Sequence, residues 1–167
     1  MDPTRARSAT RHSVHVIRVG KGLQGTLLVL YSCVLLVVTL LVQGAGHVRT
    51  NLAPFEDIQR LVARAGHGGY LSNAFLYAIV GIVGNLAMFA VWAFLLWKLV
   101  DGPGRSTFRN HVDVLLAGTL FSVGIETVQF FLPTRAADVN DVFWNVLGTI
   151  AGCVVAHFHR NVRLDWQ

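Results

Sequence analysis

The chain has 167 residues, 53% of them hydrophobic and only 14% charged, with a mean hydropathy of +0.52; that is one domain by length, and too apolar for an ordinary soluble one. Its net charge of +5 comes from scattered basic residues with no recognition motif beside them, which excludes a nucleic-acid partner. Its two cysteines, Cys33 and Cys153, both fall inside apolar runs, which excludes a disulfide framework or a metal-binding spacing and implies no cofactor.

The apolar residues cluster into four long runs. Residues 1–22 are polar and basic and are expected to form a cytoplasmic tail. Leu23 to Val42 is then uncharged for twenty residues, about the length that spans a bilayer core as a helix. A secretory signal would have a shorter apolar region of about 7–15 residues, so this run is expected to be a membrane anchor even though Gly44, Ala45 and Gly46 follow it. In lipid every backbone group must be bonded internally, so such runs predict helices and not open strands.

The stretch after the first run, "NLAPFEDIQRLVARAG" over residues 51–66, predicts a short amphipathic helix in an outer loop. Pro54 suits a first helical position. Glu56 and Asp57 lie where the helix dipole favours acids, with Arg60 and Arg64 further along. Phe55, Ile58, Leu61, Val62 and Ala65 recur at helical spacing, so the helix is expected to lie on the outer leaflet or against the protein surface.

The second run, densest from Phe75 to Trp97, carries Asn85 ten residues in, about 15 Å deep at the helical rise. That is near the middle of a core about 30 Å thick, where an amide is expected to bond a neighbouring helix or to serve a ligand. The loop Asp101-Gly102-Pro103-Gly104 has strong turn chemistry. Asn110 then reads as the N-cap of the third helix, with Asp113 completing the cap.

The third run, Val112 to Leu132, contains Glu126, and the fourth, Val142 to Phe158, is preceded by "RAADVNDVFWN" at 135–145. At 100° per residue, Asp138, Asp141, Asn145, Gly148 and Gly152 fall within an arc of about 80°, and so do Thr119, Ser122, Glu126 and Gln129. The link from Pro133 to Ala137 is short, which makes the two helices antiparallel neighbours. Counted from that turn, Glu126 is about 9 Å deep and Asn145 about 10 Å. Two polar faces therefore reach the same depth, and the glycines let a neighbouring helix approach closely. A carboxylate buried at membrane depth costs on the order of 3 kcal/mol, so Glu126 is expected to have a partner or a function. The candidate ligand-binding residues of this outward-opening polar pocket are Asn85, Glu126, Gln129, Arg135, Asp138, Asp141 and Asn145. Asp138 and Asp141 are also what a helix N-terminus wants as cap and first-turn acid.

Orientation follows from the loops. Ten Lys and Arg lie on the side of the termini and the middle loop, and four on the other side, which places both termini in the cytoplasm. Residues 23–158 are thus read as an all-α, integral-membrane four-helix bundle, and 159–167 as a cytoplasmic tail.

The chain resembles the VanZ-like family of small bacterial membrane proteins. The resemblance rests on "NLAPF", on Gly84-Asn85 followed by Phe89, and above all on Glu126, Gln129, Arg135, Asp138, Asp141, Asn145, Gly148 and Gly152. It covers roughly residues 23–158. The chain departs from the pattern at Val91 and Ala93, where family members often carry a proline and a glycine. The resemblance implies a multi-pass protein of the bacterial cell membrane and a role in tolerance of teicoplanin, a lipoglycopeptide acting outside the cell. Three functions remain open: binding of a lipid-linked envelope precursor or lipoglycopeptide, an intramembrane enzyme using Glu126, Asp138 and Asp141, and a small transporter or assembly subunit. Membrane lipid is an expected partner in each case, and the glycines would allow a homo-oligomer.

Overall fold

The computed structural model describes residues 20–41, 50–66 and 72–161. The two terminal tails, Gly44-Ala45-Gly46 and the loop histidines His47 and His67 lie outside these, apart from the residues that border the helices. Among the described residues every regular element is a helix: α1 (Lys21–Leu41), α2 (Glu56–Gly66), α3 (Asn73–Val100), α4 (Thr107–Phe131) and α5 (Val139–Asn161). Four of them, α1, α3, α4 and α5, are long and apolar enough to cross a membrane.

The distribution of apolar side chains agrees with that. The buried core is small and aromatic, built from Leu35, Phe89, Trp92, Ala93 and Trp97 with Ile125 and Cys153. Trp92 stacks on Phe121 with ring centroids 5.2 Å apart, and its indole N–H donates to the Ser32 hydroxyl at 2.9 Å. Large apolar residues also stand outward all along the bundle, such as Leu30 at 58% exposure and Val80 at 66%. In water such a surface would be a liability; in a bilayer it is the solvent-facing side.

The helices α3 and α5 pack most extensively on one another. The reason is at Gly148 and Gly152: a Cβ at these positions would run into the backbone carbonyls of Leu86 and Ala90 on α3. Small residues one turn apart let two backbones approach to near contact, so this glycine pair is used within the chain, against α3. Gly118 performs a similar service between α4 and α5, where an added Cβ would lie 2.6 Å from the Thr149 hydroxyl. α3 runs as one continuous helix through Val91 and Ala93.

One end of the bundle is tied by a polar clasp. The Lys21 ammonium donates to the carbonyls of Lys98 (2.9 Å), Leu99 (2.6 Å) and Asp101, which are unsatisfied acceptors at the C-terminus of α3. The Asn110 amide, fully buried, donates to Asp101 at 3.0 Å and accepts from Arg105 Nε at 2.6 Å. Arg160 reaches the same Asp101 carboxylate at 3.1 Å. This corrects the sequence reading of the third helix: Ser106 is the N-cap, its hydroxyl accepting from Arg109 N. Asn110 lies one turn inside, and Asp113 pairs with Arg105. Ser106 and Asn110 are both good caps; the buried Asn110 amide is instead used between Asp101 and Arg105.

The amphipathic element forms with a later start than expected. Pro54 and Phe55 sit in a turn ahead of α2, because Phe55 takes the left-handed conformation with φ of 63°, which no helix continues. Glu56 and Arg60 then form an i,i+4 ion pair on the helix surface.

Candidate functional site

The C-terminal end of α4, the N-terminal end of α5 and the segment 51–55 meet at the opposite end of the bundle from the clasp. The turn from Leu132 to Asp138 is short, so the first peptide groups of α5 face the last turns of α4. Their N–H groups are the unsatisfied donors of a helix start, and the site is organised around satisfying them.

Asp138 is the N-cap. Its Oδ1 accepts from the backbone N–H of Asn140 at 2.8 Å and from the Asn140 side chain at 2.9 Å. Glu126, from α4, takes the N–H of Asp138 itself on Oε2 at 2.8 Å. A carboxyl oxygen accepting a backbone N–H at a helix N-terminus satisfies one of that end's orphan donors, in the position where the helix dipole favours an acceptor. The burial of Glu126 thus has a local cause: it holds the start of α5.

The other faces of this turn are covered as well. Asn85, from α3, donates to Asp141 Oδ1 at 2.6 Å. Asn51 forms a parallel backbone bridge with Asp138: its N–H donates to Ala137 O at 2.9 Å, and Val139 N donates to Asn51 O at 3.1 Å. The Asn51 amide also donates to both Asp138 oxygens, at 3.1 and 3.3 Å. Asn140 accepts from Phe55 N at 2.5 Å and donates to Ala53 O at 3.3 Å. The left-handed Phe55 is held there, its ring edge-on to Phe143 with centroids 5.2 Å apart.

The seven residues singled out from sequence do not share one wall. Asn85, Glu126, Asp138 and Asp141 converge at the first turn of α5. Gln129 and Arg135 face α1, where both donate to the carbonyl of Thr39, Gln129 at 2.7 Å. They satisfy a C-terminal carbonyl of α1, and Arg135 is a cation at a helix C-terminus. Asn145 lies a turn further into the bundle and donates to Ser122 at 2.9 Å. Its partner is thus the residue one turn before Glu126. Asn85 is level with the first turn of α5 and not with the middle of the bundle. The count from Phe75 put it deeper because α3 starts well beyond the point where α5 begins.

Beside this turn, between α4 and α5, lies a cavity of about 350 Å³, at the small end of ligand sites, which run from about 300 to 1,000 Å³. Its walls are apolar, with Val123, Phe130 and Phe131 from α4, Val142 from α5 and Leu52 from the docked segment. The polar residues along its lining are Glu126, Thr127 and Asp138. The cavity opens sideways: Phe131 is 77% exposed and Leu52 72%. Among the sequence-chosen residues, then, Glu126 and Asp138 line it.

Sequence reasoning missed Asn51 and Asn140 as members of the site, and all of the apolar wall. Asn51 was visible as the first residue of "NLAPF". Asn140 falls off the polar arc of α5 by its 100° step, because it serves a third face that helix geometry alone does not reveal.

The family model described as VanZ/LLP1 matches residues 27–160, and the chain belongs to that family. Comparison with curated proteins and with solved structures finds no match.

Proposed function

We propose that this VanZ/LLP1-family membrane protein binds a lipid-tailed ligand of the cell envelope in the groove between α4 and α5, and through it contributes to tolerance of teicoplanin-type lipoglycopeptides. The observation that carries the reading is the groove itself. An apolar trough of about 350 Å³ opens sideways beside Glu126 and Asp138 at a helix start. A hydrocarbon tail fits the trough, and a polar head reaches Glu126, which has one oxygen beyond the one that holds the Asp138 N–H.

The placement of charge supports an outward-facing groove. Lys21, Lys98, Arg105, Arg109 and Arg160 gather at the clasp end, away from the groove. By the positive-inside rule the clasp end is cytoplasmic and the groove opens on the outer leaflet. The helix α2, with Ile58 and Val62 exposed beside the groove end, lies against the same leaflet. Binding is favoured over catalysis by the engagement of the carboxylates: Glu126 and Asp138 hold backbone N–H groups of α5, and Asp141 accepts from Asn85.

The test is native mass spectrometry of protein purified from envelope membranes. The wild type should retain a lipid-tailed species, and Val142→Trp, which fills the groove, should lose it. Val83→Trp, on an outward face of α3, should keep it. Equal retention by both variants would show that the species binds elsewhere.

A further inference from the structure

We propose that the seam between α3 and α5 at the clasp end holds an anionic phospholipid, with one acyl chain in an apolar trough and the phosphate on Lys98 and His159. This site is separate from the α4–α5 groove and opens toward the other leaflet. At Gly152 the two helices come so close that an added Cβ would meet the Ala90 carbonyl. Beside that contact lies a cavity of about 340 Å³, lined by Ala90, Val91, Phe94, Gly152 and Val155. All five are apolar, and Val91 at 46% and Val155 at 57% exposure mark its open side, toward lipid.

The polar end of the trough follows one helical turn on. Lys98 and His159 come four residues after Phe94 and Val155, on the same helix faces and nearer the clasp. The His159 ring stands edge-on to Phe94, with centroids 5.9 Å apart, and its Nδ1 lies 3.5 Å from the Lys98 ammonium. An ammonium only donates, so Nδ1 is the acceptor and the ring proton sits on Nε2. The pair therefore offers a charged donor with protons to spare and a second N–H, which are what phosphate oxygens accept. Ala90 is eight residues from Lys98, about 12 Å along the helix. That fits a chain confined to one leaflet, about half of a core 30 Å thick. Charge favours an anionic headgroup over a zwitterionic one. Among the described residues no carboxylate forms an ion pair with Lys98, and Asp101, the nearest in sequence, pairs with Arg160. Lys21 stands at the same corner, on the Lys98 carbonyl. The tails outside the described residues carry five arginines against Asp2 and Asp165.

The test uses the full chain in phosphatidylcholine nanodiscs that carry a trace of one of two probes, a phosphatidylglycerol or a phosphatidylcholine, each with the same diazirine-tagged acyl chain. Crosslinks to residues 90–94 and 152–155 are quantified against crosslinks to the outward face of α1 around Val29 and Leu30, which corrects for general lipid contact. The anionic probe should label the seam about fivefold over the zwitterionic one, the gain expected from one cation at a membrane surface. Lys98→Gln should bring that ratio close to one. Arg109→Gln removes the same charge from the same end, on a side chain of α4 that is 75% exposed, and should leave the ratio standing. Val155→Trp should fill the trough and cut labelling by the anionic probe to the α1 level. Equal labelling by the two probes, a preference that survives Lys98→Gln or falls as far in Arg109→Gln, or labelling unchanged in Val155→Trp overturns the site. Labelling of the seam by neither probe above the α1 face overturns it as well, and would mean that another part of the chain or a second copy covers the trough. The α4–α5 groove stands or falls separately, on its own retention test.

Discussion

Replacing Gly148 by alanine tests whether the α3–α5 contact is as close as its geometry. A Cβ there would meet the Leu86 carbonyl and lie 3.0 Å from its carbonyl carbon and Cα, all backbone atoms that cannot rotate away. The two helices must separate, and overpacking of this kind costs about 1–3 kcal/mol. In the opposite direction, alanine gains about 0.8–1.0 kcal/mol over glycine in a helix interior. Gly124 on α4 supplies the control, because a Cβ there meets nothing within 4 Å. The propensity gain is common to both, so the difference between Gly148→Ala and Gly124→Ala isolates the clash. Gly124→Ala should be neutral to stabilising by up to about 1 kcal/mol, and Gly148→Ala should fall about 1–3 kcal/mol below it. Equilibrium unfolding in mixed micelles, followed by tryptophan fluorescence, measures both. Separation would also lengthen the 2.6 Å bond from Asn85 to Asp141, so Gly148→Ala should weaken ligand retention in the groove. If the two variants are equally stable, the close backbone approach, and the placement of Asn85 that depends on it, is wrong.

Three further outcomes are expected. Asp138→Ala should cost about 1 kcal/mol through loss of the cap and should speed proteolysis of the segment around Asn51, which loses its side-chain acceptor, while Asp138→Asn should retain the cap and most of that protection. Asn110→Ala should destabilise by about 1–3 kcal/mol, because Arg105 and the Asp101 carboxylate each lose a buried partner; denaturation of the variant in the same micelles checks this. Val62→Glu should lift α2 from the bilayer, seen as greater water accessibility of a spin label at Ile58, and unchanged accessibility would mean that α2 does not rest on lipid.

The four spans were legible because composition alone dictates them: a run of about twenty apolar residues must be helical in lipid. The polar arcs of α4 and α5 were legible from the 100° step, and so was the importance of Glu126, which costs too much to bury without a partner. What it would bond was not legible. Its partner is a backbone N–H at a helix start, and side-chain periodicity is blind to backbone groups. The pairing of Asn51 with Asp138 joins residues 87 apart through a parallel bridge, which no local pattern encodes. Phe55 looked like a helical residue because its spacing fits α2, yet its left-handed backbone is set by the Asn140 side chain. The groove wall was invisible for a different reason. Val123, Phe130 and Val142 are the same residue types as those that face lipid, so only the packing of α4 against α5 separates wall from surface.

The central claim, that the groove is a site for a hydrocarbon tail, is tested most directly by a structure of the protein in lipid with a bromine-tagged, lipid-tailed ligand. The bromine should be found between Phe130 and Val142, with the ligand's polar head within about 3 Å of Glu126. Bromine spread over the outward faces of α1 and α3, with none between α4 and α5, would contradict the account.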